Sequence, residues 1–434
     1  MLCVALAGHD AAEDAESWNK VLMMPKNAAI VVVIVLIMLD AACIAMAAAL
    51  TISAARYRKM QKAEAKKADK PRFSRLADIE KTCRGQKLRQ AVTLPAPGNM
   101  SLREFAEGFR NYAASECGLY YEPDVIRAYI AGMASTKLTI LEGISGTGKT
   151  SLAYAFGKYT GNPSVVTPVQ PSWKDRTDLL GYYNEFTGSY TETELLCKLY
   201  EANLTDRIYT VVLDEMNIAR VEYYFAEFLS LLELPDTGAR RLRVTSDSRP
   251  SDPPLLIGGT LKLPDNVWFA GTANNDDSTL AISDKVYDRA FVISLNSRSH
   301  PFTAPQTGPA AISASGLSRL FDEAVLADPL SQEQKDRLEE LDRYLRAHLG
   351  ITFGNRTMKQ FQRFVPVFKA AGGSETDAVD AMVANKILRK MEGLNPVVCR
   401  REAEGLDRAL NALFGRDEMR QSRAFLARFR GGEA

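Results

Sequence analysis

Apolar residues along this chain first gather in one unbroken block and then recur at spacings that switch between helical and strand-like. From Ala28 to Ala55 the run AAIVVVIVLIMLDAACIAMAAALTISAA carries a single charge, Asp40. About 20 apolar residues suffice to cross a hydrocarbon core as a helix, so residues 28–55 are expected to form one transmembrane helix. A buried helix of a soluble domain is the alternative. A cleaved signal peptide has a shorter apolar region with basic residues before it. Here the basic residues follow: Arg56, Arg58, Lys59, Lys62, Lys66, Lys67, Lys70 and Arg72. The positive-inside rule then places the long C-terminal part in the cytoplasm. Small residues around Asp40 (Ala41, Ala42, Ala45) permit close helix packing. An oligomer-packing role for that carboxylate and no role at all both stay open. The Met23-Met24 pair also leaves open a start of translation there rather than at Met1.

Residues 1–27 read as a short tail. Residues 56–100 read as a basic juxtamembrane helix and linker that ends in the loop-forming Pro95-Ala96-Pro97-Gly98. The charge of that segment suits a solvated face or anionic lipid heads. From Ser101 the pattern becomes globular. Helical spacing joins Phe105, Phe109 and Tyr112, and a second helix follows Pro123. Strand-like runs fall at Leu138–Leu141, Ser164–Val169, Tyr209–Leu213, Val267–Gly271 and Phe291–Leu295, with helical stretches between them. This is the alternation of a parallel α/β sheet. After about Arg298 a proline- and alanine-rich connection leads into helices. One starts near Ser331 with a capping-box-like Ser-Gln-Glu-Gln and the apolar positions Leu338, Leu341, Leu345 and Leu349. The expected division is an α/β domain at 101–298 and a helical domain at 299–434.

Composition changes this picture little. A formal net charge of +1 gives no overall pull towards nucleic acid, and no aromatic or motif support for direct nucleic-acid binding accompanies the basic segment. Six scattered cysteines and three histidines offer no metal-ligand spacing and no histidine-based triad. The cysteines read as reduced structural residues.

The chemistry lies in Gly143-Ile-Ser-Gly-Thr-Gly148-Lys149-Thr150, a full GxxxxGK[ST] loop placed between a strand and a helix. Backbone N–H groups of Gly143, Ser145, Gly146, Thr147 and Gly148 can wrap phosphates, and the N-terminus of the next helix, with Ser151, faces them. Lys149 can reach the β- and γ-phosphates, and Thr150 offers a hydroxyl to Mg2+. Tyr209–Leu213 ends in Asp214-Glu215. Asp214 at a strand end can hold the metal, and Glu215 can orient and deprotonate the attacking water. Asn274, after the run Val267–Gly271, suits a hydrogen bond to the γ-phosphate or that water, or simply a turn. Arg289 suits an arginine finger acting on a neighbouring subunit's nucleotide, or a surface ion pair with Asp288 or Asp284.

The stretches LEGISGTGKTSLA, VQPSWKDRTDLLGYYN, VVLDEMNIARVEYYFAEFLSLLE, FAGTANNDDSTLAISDKVYDRAFVI, FGNR and NKILRKMEG, in this order, resemble the McrB/dynein-related (helix-2-insert) branch of the AAA+ family. The resemblance implies a P-loop AAA+ parallel-sheet core with a C-terminal helical lid, here preceded by one transmembrane helix. It implies ATP hydrolysis with Mg2+ in a ring oligomer, a hexamer by its relatives. Asn274 is similar to the family's sensor asparagine and Arg289 to its finger arginine. Arg356, in the lid, resembles a second sensor arginine that contacts nucleotide. NEFTGSYT (184–191) looks like an inserted hairpin after Gly181, and 241–264 like a second one, both coupling elements towards an unidentified protein partner. Trp173, Asp175 and Arg176 suit positioning of that region, with plain packing the alternative for Trp173. Restriction GTPases of this branch use GTP and carry a DNA-reading domain. This chain has an apolar helix in that place, and its segment TANNDDST differs from that of the restriction GTPases, so ATP is preferred with GTP possible; no nuclease motif is visible, so any cleavage would belong to a separate partner. The rivals are a GTPase motor serving a separate nuclease in defence against foreign DNA, and a nucleotide-gated membrane scaffold with incidental turnover.

Overall fold

The computed structural model describes residues 25–68, 71–90, 100–274, 279–296, 298–416 and 418–430. The expected tail before residue 25, the Met23-Met24 pair and the Pro95–Gly98 loop lie outside these residues. The chain divides into two units, residues 1–71 with 249–251, and residues 72–248 with 252–434.

The first unit contains helix α1, Lys26–Ala68, which includes the apolar block and runs on through the first basic residues. Ile30, Ile34, Leu36, Ile37 and Leu39 all face outward. By length and composition Ile30–Gln61 suffices to cross a membrane. At 1.5 Å per residue α1 is about 65 Å long, roughly twice the hydrocarbon thickness. The helix therefore overruns the expected 28–55 span, because nothing between Ala55 and Ala68 breaks it.

The second unit begins at Arg72, well before the expected boundary at Ser101. Helix α2 (Arg75–Gln90) is followed by α3 (Leu102–Cys117) and α4 (Pro123–Ser135). Ser101 and Glu104 close a full capping box on α3. Strands β1 (Leu138–Gly143), β2 (Val165–Pro168), β5 (Tyr209–Asp214), β8 (Val267–Asn274) and β9 (Phe291–Ser294) form one parallel sheet in the order β2-β5-β8-β1-β9. Helix α5 (Lys149–Tyr159) follows β1, and α6 (Glu194–Ala202) precedes β5. The sheet is covered on both faces, which is why its strands read as unbroken apolar runs. Phe105, Phe109, Tyr129 and Phe156 belong to one buried cluster. Leu196, Leu199, Phe225 and Phe228 belong to the other.

Two hairpins are inserted as expected. Strands β3 (Gly181–Asn184) and β4 (Ser189–Glu192) pair antiparallel, as do β6 (Arg241–Arg243) and β7 (Thr260–Lys262). Strand β8 runs to Asn274 rather than stopping at Gly271, because it stays paired with β1 up to Gly143↔Asn274. Gly271 lets Met216 pack closely against β8, since a Cβ there would lie 2.0 Å from the Met216 sulfur and that side chain would have to shift.

The helical region contains α7 (Ala314–Ala327), α8 (Gln332–Leu349), α9 (Asn355–Ala370) and α10 (Glu375–Met382). A π-helical turn, Val383–Ile387, and a 3-10 turn, Leu388–Gly393, lead to α11 (Pro396–Phe414) and α12 (Arg420–Arg430). Leu338, Leu341, Leu345 and Leu349 are buried as their spacing requires. Ser331 caps α8 by accepting from Gln334 N, but the reciprocal half of the expected box is absent. The Ser331 N–H goes to Glu375, leaving the buried Gln334 Oε1 without a hydrogen bond. A parallel sheet with helices on both faces and a helical region after it fits the expected P-loop AAA+ core with a C-terminal helical lid.

The segment read as linker is docked at its end. Arg72 is 1% exposed. Its guanidinium bonds both oxygens of Asp252 at 2.8 and 2.7 Å and Asp247 Oδ1 at 2.7 Å. Tyr190 N, on β4, donates to the Arg72 carbonyl, and the Phe73 ring lies 4.8 Å from Tyr190. The Glu192 carboxylate accepts from the backbone N–H groups of Ser74, Arg75 and Leu76 and so caps α2. The first residues of the unit are thus fastened to both insertions.

Candidate nucleotide site

The loop Gly143–Thr150 joins the buried end of β1 to α5. Glycine is needed where the loop turns against β9: Gly143 has φ +143, and a Cβ on it would meet the Leu295 carbonyl at 2.2 Å. Gly146 and Gly148 also lie at positive φ, and Gly148 is the N-cap of α5. Ser145 is exposed, and Thr147 donates to the Ile144 carbonyl at 3.0 Å. Lys149, 6% exposed, turns its ammonium onto the carbonyls of Gly143 and Ile144 at 2.9 and 2.7 Å. Ser151 lies in the first turn of α5.

The parallel sheet sets the ends of β1, β5 and β8 side by side, which brings the predicted acids to the loop. Thr150 Oγ1 donates to Asp214 Oδ1 at 2.6 Å, and Thr272 Oγ1 to the same oxygen at 2.9 Å. Thr272 Oγ1 also accepts from Glu215 N at 2.8 Å. Glu215 is exposed and adopts φ +53, which is rare for a residue with a Cβ. Such conformations persist where surrounding bonds over-determine them, and here the Thr272 bond and the short helix Met216–Ile218 do so. Asn274 is held by Asn217, whose Nδ2 donates to the Asn274 carbonyl at 2.9 Å. The position is the last residue of a strand, not a turn. Among the described residues, Asn274 shares a cleft of about 600 Å³ with Glu142, Asn217, Tyr287 and Arg389.

The two predicted arginines lie together. Arg289 pairs with Glu233, Nε to Oε1 and Nη2 to Oε2, both at 2.9 Å, and not with Asp288 or Asp284. Arg356 Nη2 reaches the same carboxylate at 2.5 Å. Arg356 therefore sits with the finger candidate. The lid arginine beside the phosphate loop is a different one: Arg389 forms a bidentate pair with Glu142, the residue before Gly143, at 2.6 Å on each arm. It also donates to the Tyr287 hydroxyl at 2.9 Å and lies over that ring. Arg389 stands in NKILRKMEG, but its partner is remote in sequence and no local pattern announces it. Tyr121, whose hydroxyl donates to the Gly148 carbonyl at 2.9 Å, was equally invisible. Trp173 packs edge-on against Tyr224, Arg176 pairs with Glu227, and Asp175 caps Thr177.

Phosphates and a divalent ion suit this arrangement. Positive-φ glycines expose backbone N–H groups at a helix N-terminus, and Thr150 and Asp214 place two hard oxygen donors within 2.6 Å of each other.

Residues 312–431 match the model of a family described as a domain of unknown function, DUF8727. No curated protein matches. Among solved structures the chain is similar to a "putative ATPase" from Cytophaga hutchinsonii ATCC 33406, at 13% identity and TM-score 0.47, over 71% of this chain and 96% of that one. It is also similar to a full-length MCM homolog from Methanopyrus kandleri, at 13% identity and TM-score 0.37, over 66% of this chain and 61% of that one.

Proposed function

We propose that this chain is a membrane-anchored AAA+ nucleoside triphosphatase of the McrB/dynein-related branch that hydrolyses ATP with Mg2+ in a ring of its own copies. The observation that carries this reading is the 2.6 Å bond from Thr150 to Asp214, which joins the phosphate loop to the acidic strand end. Lys149 and the loop N–H groups would hold the phosphates, Thr150 and Asp214 the metal, and Glu215 with Asn274 the attacking water. Bound Mg2+ would neutralise charge that builds up on the phosphates. Arg289, with Arg356 on the same carboxylate, would serve the nucleotide of the adjacent subunit. Helix α1 would anchor the chain, with its basic end marking the cytoplasmic side. Lid motion would be passed to the two hairpins and through them to a protein partner.

The test is steady-state hydrolysis of ATP and GTP by the full chain in detergent or bilayer, across a range of protein concentrations. ATP turnover that rises more than linearly with concentration is the expected result. Turnover of GTP alone would replace ATP in this reading, and turnover of neither would sink it.

A further inference from the structure

Lys386 is 6% exposed. Its Nζ donates to three backbone carbonyls, those of Tyr287, Asp288 and Ala290, at 2.7, 2.8 and 2.7 Å. An ammonium has three N–H donors and here uses all of them. The effective penalty for burying an ion is several kcal/mol, so a lysine in this position is tolerated only because the carbonyls replace its water. The planar fork of an arginine could not converge on the same three oxygens.

Those carbonyls flank a single residue, Arg289, whose own guanidinium is fixed by Glu233. Lys386 itself lies in the π-helical turn Val383–Ile387. Turns of this kind are rare and concentrate at functional positions. Three residues further on, Arg389 grips Glu142 at the root of the phosphate loop. One short lid segment thus holds the base of the chain's own nucleotide site and the peptide that carries its arginine.

We propose that Lys386 is a positioning residue that fixes the Arg289 segment to the lid, so that each subunit's arginine is presented to its neighbour's nucleotide in register with that subunit's own lid. This rests on the shared-site nucleotidase reading above.

The experiment uses full-length chains and ATP turnover, alone and in mixed assemblies. Lys386→Met is expected to lower kcat at least tenfold while KM for ATP stays within about threefold, because its own phosphate loop is intact. Lys386→Gln, which keeps two donors, should fall between parent and Lys386→Met, and keeps the test alive if the methionine variant does not fold. Mixing Lys386→Met with Lys149→Ala, which lacks a working loop but keeps its arginine, should restore turnover. Mixing Lys386→Met with Arg289→Ala should not, since both chains lack a presented arginine. Parent-like turnover by Lys386→Met overturns the proposal. So does restoration by both mixtures, and so does restoration by neither while the variant still assembles with parent chains. A parent chain inactive on ATP and GTP fails the underlying reading instead, and the proposal falls with it.

Discussion

Arg389→Met would test whether the lid is tied to the phosphate loop by a pair that matters energetically. Arg389 and Glu142 are 13% and 7% exposed and meet at 2.6 Å on both arms. Removing one partner of a buried pair leaves an uncompensated charge and costs about 3–5 kcal/mol. The matching surface control is Arg428 with Glu392, 58% and 41% exposed and 3.7 Å apart, where the loss should be below about 1 kcal/mol. The double variant Glu142→Gln/Arg389→Met should recover at least half of the loss, because the buried carboxylate of Glu142 is then replaced by a neutral amide. Denaturant melts of parent, both single variants, the double variant and Arg428→Met supply the cycle. Nucleotide titration of the same proteins reports on the loop, since Glu142 directly precedes Gly143. The reasoning fails if Arg389→Met costs no more than Arg428→Met, or if the double variant is no more stable than Arg389→Met alone.

Three further outcomes follow from the same geometry. Glu215→Gln should bind ATP and remain assembled while turnover falls at least a hundredfold, as read by size analysis with nucleotide present. Parent-like hydrolysis would remove Glu215 from the role of base. Arg72→Ala should destabilise the compact unit by about 3 kcal/mol or more, since it removes the hydrogen bonds that a buried guanidinium makes to both oxygens of Asp252, itself 3% exposed. Asp247→Ala, at the 53% exposed partner, should cost under about 1 kcal/mol; equal losses in denaturant melts would refute the assignment of the buried arm. Burial pushes the Lys386 ammonium down to about 7, with Asp288 opposing and Lys390 and Arg356 reinforcing the shift. Above that pH the native lysine gives up a proton that the unfolded one keeps, and with it one of its three donations to the carbonyls around Arg289. Stability should therefore rise between pH 7 and 8, by up to about 1.4 kcal/mol per unit from this group. Lys386→Met should lose that contribution to the slope, and an unchanged slope would count against it.

Much of the architecture was legible because the sheet is buried on both faces. A strand such as Tyr209–Leu213 must then be continuously apolar, and the acids at its end stand out. The phosphate loop was equally plain, since its glycines and lysine answer to local backbone demands. Contacts that close over long separations left no trace. Arg72 sits in a basic run and looks solvated, yet its partners Asp247 and Asp252 lie 175 and 180 residues away. Lys386 looks like one charge of a lid helix until the carbonyls around Arg289 fold beneath it. Arg289 has Asp288 and Asp284 beside it in sequence, whereas its partner Glu233 is beside it in space. Nor did the sequence mark Arg389, rather than Arg356, as the lid arginine at the phosphate loop. The one beside the phosphate loop is the one whose carboxylate partner immediately precedes Gly143.

The fastening at Arg72 also has a mechanical meaning. Any tension carried along the backbone from the residues before it arrives first at one guanidinium and one carbonyl. The guanidinium passes it to the loop between β6 and β7, and the carbonyl to β4 through Tyr190. A pull from that side would be taken up by the two insertions before it reached the sheet. Conversely, any stroke that displaced the hairpins would tug on the chain at its mooring.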